Sequence, residues 1–168
     1  MIVAILQHIP VWVYGLLFAL IALGVSQSFP RTVTLRRSAL LPLALVGVSL
    51  MGVVGSFGQQ LAALLSWPLG LAAAVAALHG RIDTSAVRYS AATQRFQLPG
   101  SWVPLALMLG LFTLKFGVGM TLAQHPELKQ SAAFAMAASA AYGLFSGVFL
   151  GRAMALWALA RRALPQRA

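Results

Sequence analysis

The sequence contains no cysteine. Disulfides, thiolate metal sites and cysteine nucleophiles are excluded, while the compartment stays open. Acids are nearly as scarce: Asp83 and Glu127 are the only two in 168 residues. Charged residues of both signs make up 8% of the chain. A water-soluble domain carries about 25%. The first ten residues, MIVAILQHIP, hold no Lys or Arg. The positive start of a cleavable signal peptide is therefore missing.

What the chain has in excess is apolar sequence, at 60%. Its net charge is +10, but the cations lie between apolar runs and are not gathered on a polar domain. That pattern fits the positive-inside rule of membrane proteins better than nucleic-acid binding, so no nucleic-acid partner is expected. The expected architecture is an all-α membrane protein, a bundle of five spans in a single integral-membrane domain, 1–168. The spans fall at about 9–28, 39–57, 61–79, 102–123 and 131–159, each near or above the roughly 20 residues a bilayer needs. In the first, Trp12 and Tyr14 suit an interfacial belt. FPRTVTLRRS reads as a basic loop, with Ser38 capping the second helix and Pro42 near its first turn. Gly58, Gln59 and Gln60 form an uncharged turn. Pro68 is placed to kink the third span. In QHPELKQ, Pro126 can begin a helix, and Glu127 favours its positive end.

The polar segment 80–101 has a different period. Val87 and Tyr89 alternate with Arg88, and Phe96 and Leu98 alternate with Arg95 and Gln97. Alternation on both sides of a four-residue connection predicts a short β-hairpin between helices 3 and 4. Arg88 and Arg95 would point outward at the membrane surface. With the N-terminus outside and the C-terminus inside, Arg31, Arg36, Arg37, Arg81, Arg88, Arg95, Arg161, Arg162 and Arg167 all fall inside. Lys129 alone falls outside. This asymmetry sets the orientation, places the hairpin in the cytoplasm and supports an odd number of spans.

One cation lies within an apolar run. Lys115, in WVPLALMLGLFTLKFGVGMTLA, costs roughly 2.5–3.5 kcal/mol on insertion scales and so faces protein or water. Two readings stand side by side. Lys115 is either a ligand site for an anion or headgroup, with Thr113, Gln59 and Gln60 as candidate companions, or a snorkelling lysine satisfied by carbonyls, hydroxyls or those glutamines. Gly117 and Gly119 loosen the helix around it. Arg152 falls near the inner interface and reads as a membrane-surface residue. In the fifth span Ala135, Ser139, Gly143, Gly147 and Gly151 recur every four residues. This small-residue stripe suits close helix packing, within the bundle or against a second copy or another membrane protein.

Catalytic and metal chemistry find little support. Asp83 and Glu127 fall on opposite sides and cannot pair as acid and base. His8 and His125 fall outside and His79 inside, without ligand spacing, so neither metal nor haem is expected. No enzyme activity and no cofactor are expected.

The runs LPGSWVPLALMLGLFTLKFGVG, HPEL and YGLFSGVFLGR resemble a family of uncharacterised proteobacterial inner-membrane proteins known only as a domain of unknown function. The resemblance covers most of the chain and is strongest over residues 98–152. It implies a bacterial inner-membrane location and carries no activity or catalytic residue. The layout of a basic loop, two spans, a β-like segment and further spans is distantly similar to CcdC-like membrane proteins, linked by name to cytochrome c maturation. This chain departs from that role in having no cysteine pair and no haem-ligand motif. The functional expectation is a non-enzymatic accessory, assembly or structural component. Its partners would be membrane lipids, with anionic headgroups at the inner face, and other membrane proteins. The alternative is a small carrier or binding protein for an anionic or amphipathic molecule, with Lys115 at its site.

Overall fold

Runs of Leu, Ala, Val and Gly broken by Arg, Gln and Pro fold as five helices and three short strands in the computed structural model, which describes residues 11–90 and 93–163. In chain order these are α1 (Val11–Ser26), β1 (Arg31–Thr34), α2 (Leu35–Phe57), α3 (Leu61–Leu78), β2 (Arg88–Ser90), β3 (Arg95–Leu98), α4 (Val103–Gln124) and α5 (Ala132–Ala163). A 3₁₀ turn, Pro126–Gln130, joins α4 to α5. Pro126 sits at its start, where a missing N–H costs nothing.

Four helices, α2 to α5, are long and apolar enough to cross a membrane. Leu40, Met51, Leu61 and Leu69 are among many large apolar side chains left exposed along them. Such surfaces suit lipid rather than water. The described part of α1 has 16 residues, so it rises about 24 Å, short of the roughly 30 Å hydrocarbon core. Residues 9 and 10 of the expected first span lie outside the described residues. α5, with 32 residues, rises about 48 Å and reaches past that thickness.

α5 is the spine. The small residues along it let α3 approach backbone to backbone: a Cβ at Gly143 would overlap the Trp67 carbonyl oxygen, and one at Gly147 the Leu71 carbonyl oxygen. α3 answers with Gly70, whose added Cβ would overlap the Ala140 carbonyl oxygen. Val53 and Phe57 of α2, Trp67 of α3, Leu111 and Val118 of α4, and Tyr142 of α5 close one apolar core. α1 rests on α4, where Gly24 faces Leu105.

The hairpin forms as its alternation predicts. Tyr89 and Phe96 are partners in the β2–β3 register, their rings are 4.8 Å apart, and Phe96 is fully buried. Arg88 and Arg95 are exposed. The basic loop needs correction. Arg31–Thr34 is a strand, and it pairs antiparallel with β3 to give the order β1-β3-β2. The central strand thus has both edges covered and can carry the buried Phe96. The cap is corrected too. Thr34 caps α2 by accepting from the Arg37 N–H, whereas Ser38 lies one turn in and donates to the Leu35 carbonyl. α3 remains one continuous helix through Pro68.

Candidate functional site

Lys115 leaves α4 and reaches between α2 and α5. Its Nζ donates to the Val48 carbonyl oxygen at 3.3 Å and lies 5.7 Å from the centre of the Tyr142 ring. A helical carbonyl is normally shielded by the side chain one turn on. Here that residue is Gly52, and a Cβ there would press on Nζ itself. Beside the lysine, Trp67 donates to Ser49 Oγ at 3.1 Å, and Ser49 and Ser146 both donate to the Tyr142 carbonyl. Ser139 Oγ, fully buried, has no hydrogen-bond partner among the described residues. This is a close-packed polar seam across three helices.

The expected companions of Lys115 are elsewhere. Thr113 is exposed on another face of α4. Gln60 donates to the Lys129 carbonyl at 2.6 Å in the turn between α2 and α3. Gln60 lies beyond the end of α2, whose last residue, Phe57, is five residues past Gly52, about 8 Å along the helix. Gln59 and Gln60 line a shallow cavity of about 740 Å³ with Lys129, and Lys115 does not line it.

A second cavity, of about 570 Å³, lies where the sheet meets the helices. Four arginines from four segments line it: Arg31 of β1, Arg37 of α2, Arg81 after α3 and Arg152 of α5. The hairpin exit forms one wall, because the Ser101 N–H donates to the Gln27 carbonyl at 3.1 Å. Gly100 makes this possible, since a Cβ there would overlap the Ser28 carbonyl. Gln27 is buried and accepts from Arg31 Nη2 at 2.7 Å. Arg31 Nε is buried with no partner among the described residues. Burial holds the Arg31 guanidinium below its ordinary pKa, because charge is less favourable away from water.

The wall carries one carboxylate, Asp83. It accepts the Ser85 N–H at 2.8 Å, which lowers its pKa. Among the described residues the one acidic side chain within ion-pair distance of a basic one is Glu127, 3.1 Å from His125 on the far side of the bundle. Asp83 makes no ion pair with any of the four guanidiniums, so one carboxylate faces four cations across the cavity. Toward the bundle the cavity turns apolar, with Leu78, Phe149 and Leu156. Arg152, expected at the membrane surface, lines this cavity. Arg88 and Arg95 do not, since they project from the sheet into the open.

Each arginine could be read from the sequence as an inside cation, but their convergence could not, since no spacing links residues 31, 37, 81 and 152. The small stripe is filled from within: a Cβ at Gly143 or Gly147 would overlap α3 backbone, and one at Gly151 would lie 3.6 Å from Leu78 side-chain atoms. No group of three His, Asp or Glu that could hold a metal occurs among the described residues, and His8 lies outside them.

A family model described as a family of unknown function matches residues 1–167. No curated protein and no solved structure matches the chain. The CcdC-like resemblance and a proteobacterial origin are not among these findings.

Proposed function

The chain belongs to the family of unknown function DUF6622, and from that premise we propose that it is a non-enzymatic, multi-pass component of a bacterial inner membrane. It acts through lipids and other membrane proteins, as an accessory, assembly or structural element. The observation that carries this reading is the segregation of charge along a bundle with exposed apolar flanks. Arg31, Arg36, Arg37, Arg81, Arg88 and Arg95 lie with the sheet, and Arg161 and Arg162 lie in the last turn of α5. Lys129 lies at the other end, beside the α2–α3 turn. Cations gathered at one end are what a cytoplasmic face retains, so the sheet is inside and five spans run N-out to C-in. Asp83 and Glu127 stand at opposite ends, which leaves no carboxylate pair for acid–base work.

A reporter fused after Ala168 should read cytoplasmic. A periplasmic signal would overturn the orientation and the five-span count. The alternative, a carrier with Lys115 at its site, has less geometric support. Lys115 is held by a carbonyl and an aromatic face, and it lines neither cavity described above. A non-enzymatic role accords with that packing.

A further inference from the structure

The sheet-end cavity has an electrostatic deficit. Arginine is rarely taken from water without a counter-charge, because the desolvation cost is repaid only by a partner. Arg31 and Arg152 are half-buried, and neither has an ion pair among the described residues. Among the described residues Arg31 donates to one side chain, the neutral Gln27. Its Nε faces no acceptor. Arg37 and Arg81 are more exposed and stand at the rim. Planar guanidinium forks match the oxygens of a phosphate, and several of them can share its charge.

The remaining walls narrow the chemistry further. Leu78, Phe149 and Leu156 give the cavity an apolar side continuous with the helices. A wholly polar anion would leave that side wet, whereas an acyl or prenyl chain would cover it. Depth agrees. Arg152 is 20 residues from the start of α5, about 30 Å along the helix, one hydrocarbon thickness from the opposite end. A head held there lies at the inner headgroup level with its chain directed into the bilayer. The volume, about 570 Å³, falls within the range of small-molecule pockets and suits a phosphate head with the first part of its chains.

We propose that this cavity binds a phosphate-bearing amphipath, with the phosphate on Arg31 and Arg152, Arg37 and Arg81 closing the rim, and the apolar chain against Leu78, Phe149 and Leu156. The leaflet assigned to the ligand rests on the membrane orientation given above; the binding chemistry does not. The source proposed is an acidic phospholipid of the bilayer; a water-soluble phosphate ester offers the same phosphate chemistry without the chain, and one experiment separates the two.

The full-length protein is placed in phosphatidylcholine nanodiscs. Phosphatidic acid is titrated in by native mass spectrometry, and inorganic pyrophosphate is added as a competitor. The expected result is retained phosphatidic acid that pyrophosphate displaces poorly. Arg31→Gln with Arg152→Gln should lower retention by about tenfold or more, since charge-assisted hydrogen bonds are the strong ones. Arg88→Gln with Arg95→Gln removes the same charge from the same end, outside the cavity, and should change retention little. If the half-buried pair disturbs folding, Arg37→Gln with Arg81→Gln at the exposed rim gives the same reading with a smaller loss. Equal losses from the cavity and surface pairs would overturn the site in favour of general surface charge. Binding of pyrophosphate as tight as that of the lipid would overturn the amphipath and leave a soluble phosphate ester. No retention of either probe would overturn the site altogether. None of these outcomes bears on the orientation, which the fused reporter tests separately.

Discussion

Lys115 shows how one charge is accommodated in an apolar bundle. Its ammonium has a carbonyl acceptor and an aromatic face, and glycine at position 52 is what opens the carbonyl. A cation over an aromatic ring is worth about 0.5–2 kcal/mol depending on its exposure. Gly52→Ala should therefore destabilise the parent by roughly 1–2 kcal/mol, and less in a Lys115→Met background where no ammonium is displaced. Thermal unfolding of the four proteins in detergent measures that coupling, and additive effects would mean that the two residues do not share a site. Lys115→Met alone should insert normally and retain the phosphate-bearing ligand, because Lys115 does not line the arginine cavity. Loss of that ligand in Lys115→Met would return the lysine to the binding site.

At the scale of elements, the α3–α5 contact and the sheet make different demands. At Gly143 and Gly147 the neighbour is backbone, which cannot swing aside. Gly147→Leu should disrupt folding, and even Gly143→Ala should cost about 1–3 kcal/mol through overpacking. A Cβ added at Gly151 would meet Leu78 side-chain atoms at 3.6 Å, an ordinary contact, so Gly151→Ala should be nearly neutral. Melting temperatures would rank the three, and a neutral Gly143→Ala would mean that the helices stand further apart. In the sheet, Phe96 is fully buried on the central strand. Phe96→Ala should cost about 3–5 kcal/mol and loosen the wall of the arginine cavity. Faster amide exchange across residues 31–34 and 95–98 would report it, and unchanged protection would place the fold's stability elsewhere.

The elements also show where sequence reading succeeds. The expected second to fifth spans lie close to the helices formed, because the long apolar runs end where Arg, Gln or His supplies a polar stop. The β2–β3 hairpin was legible because both its arms alternate and only a short connection lies between them. β1 was harder. RTVT has the right period and β-branched residues, but it is four residues long among three arginines, and its partner, β3, lies far along the chain. The local signal was present; the edge that satisfies its backbone was not visible.

At the scale of the whole molecule, the absence of native cysteine offers a direct test of orientation. Thr93→Cys in the hairpin connection and Gln130→Cys in the 3₁₀ turn are both at exposed positions. In intact cells an impermeant thiol reagent should label Gln130→Cys readily, and Thr93→Cys only after the inner membrane is opened. The reverse pattern would invert the protein.

The sequence by itself determined that this chain suits a membrane, how its helices are parsed, which end gathers the cations and where a hairpin forms. Those properties depend on composition and on periods of a few residues, so local sequence carries them. Only the tertiary structure decided that Arg31, Arg37, Arg81 and Arg152 share one cavity, that Lys115 is held apart from Gln59 and Gln60, and that the small stripe faces α3 of the same chain. These depend on which helices are neighbours and on how each is rotated about its axis. Packing of distant segments sets both, and no local pattern encodes them.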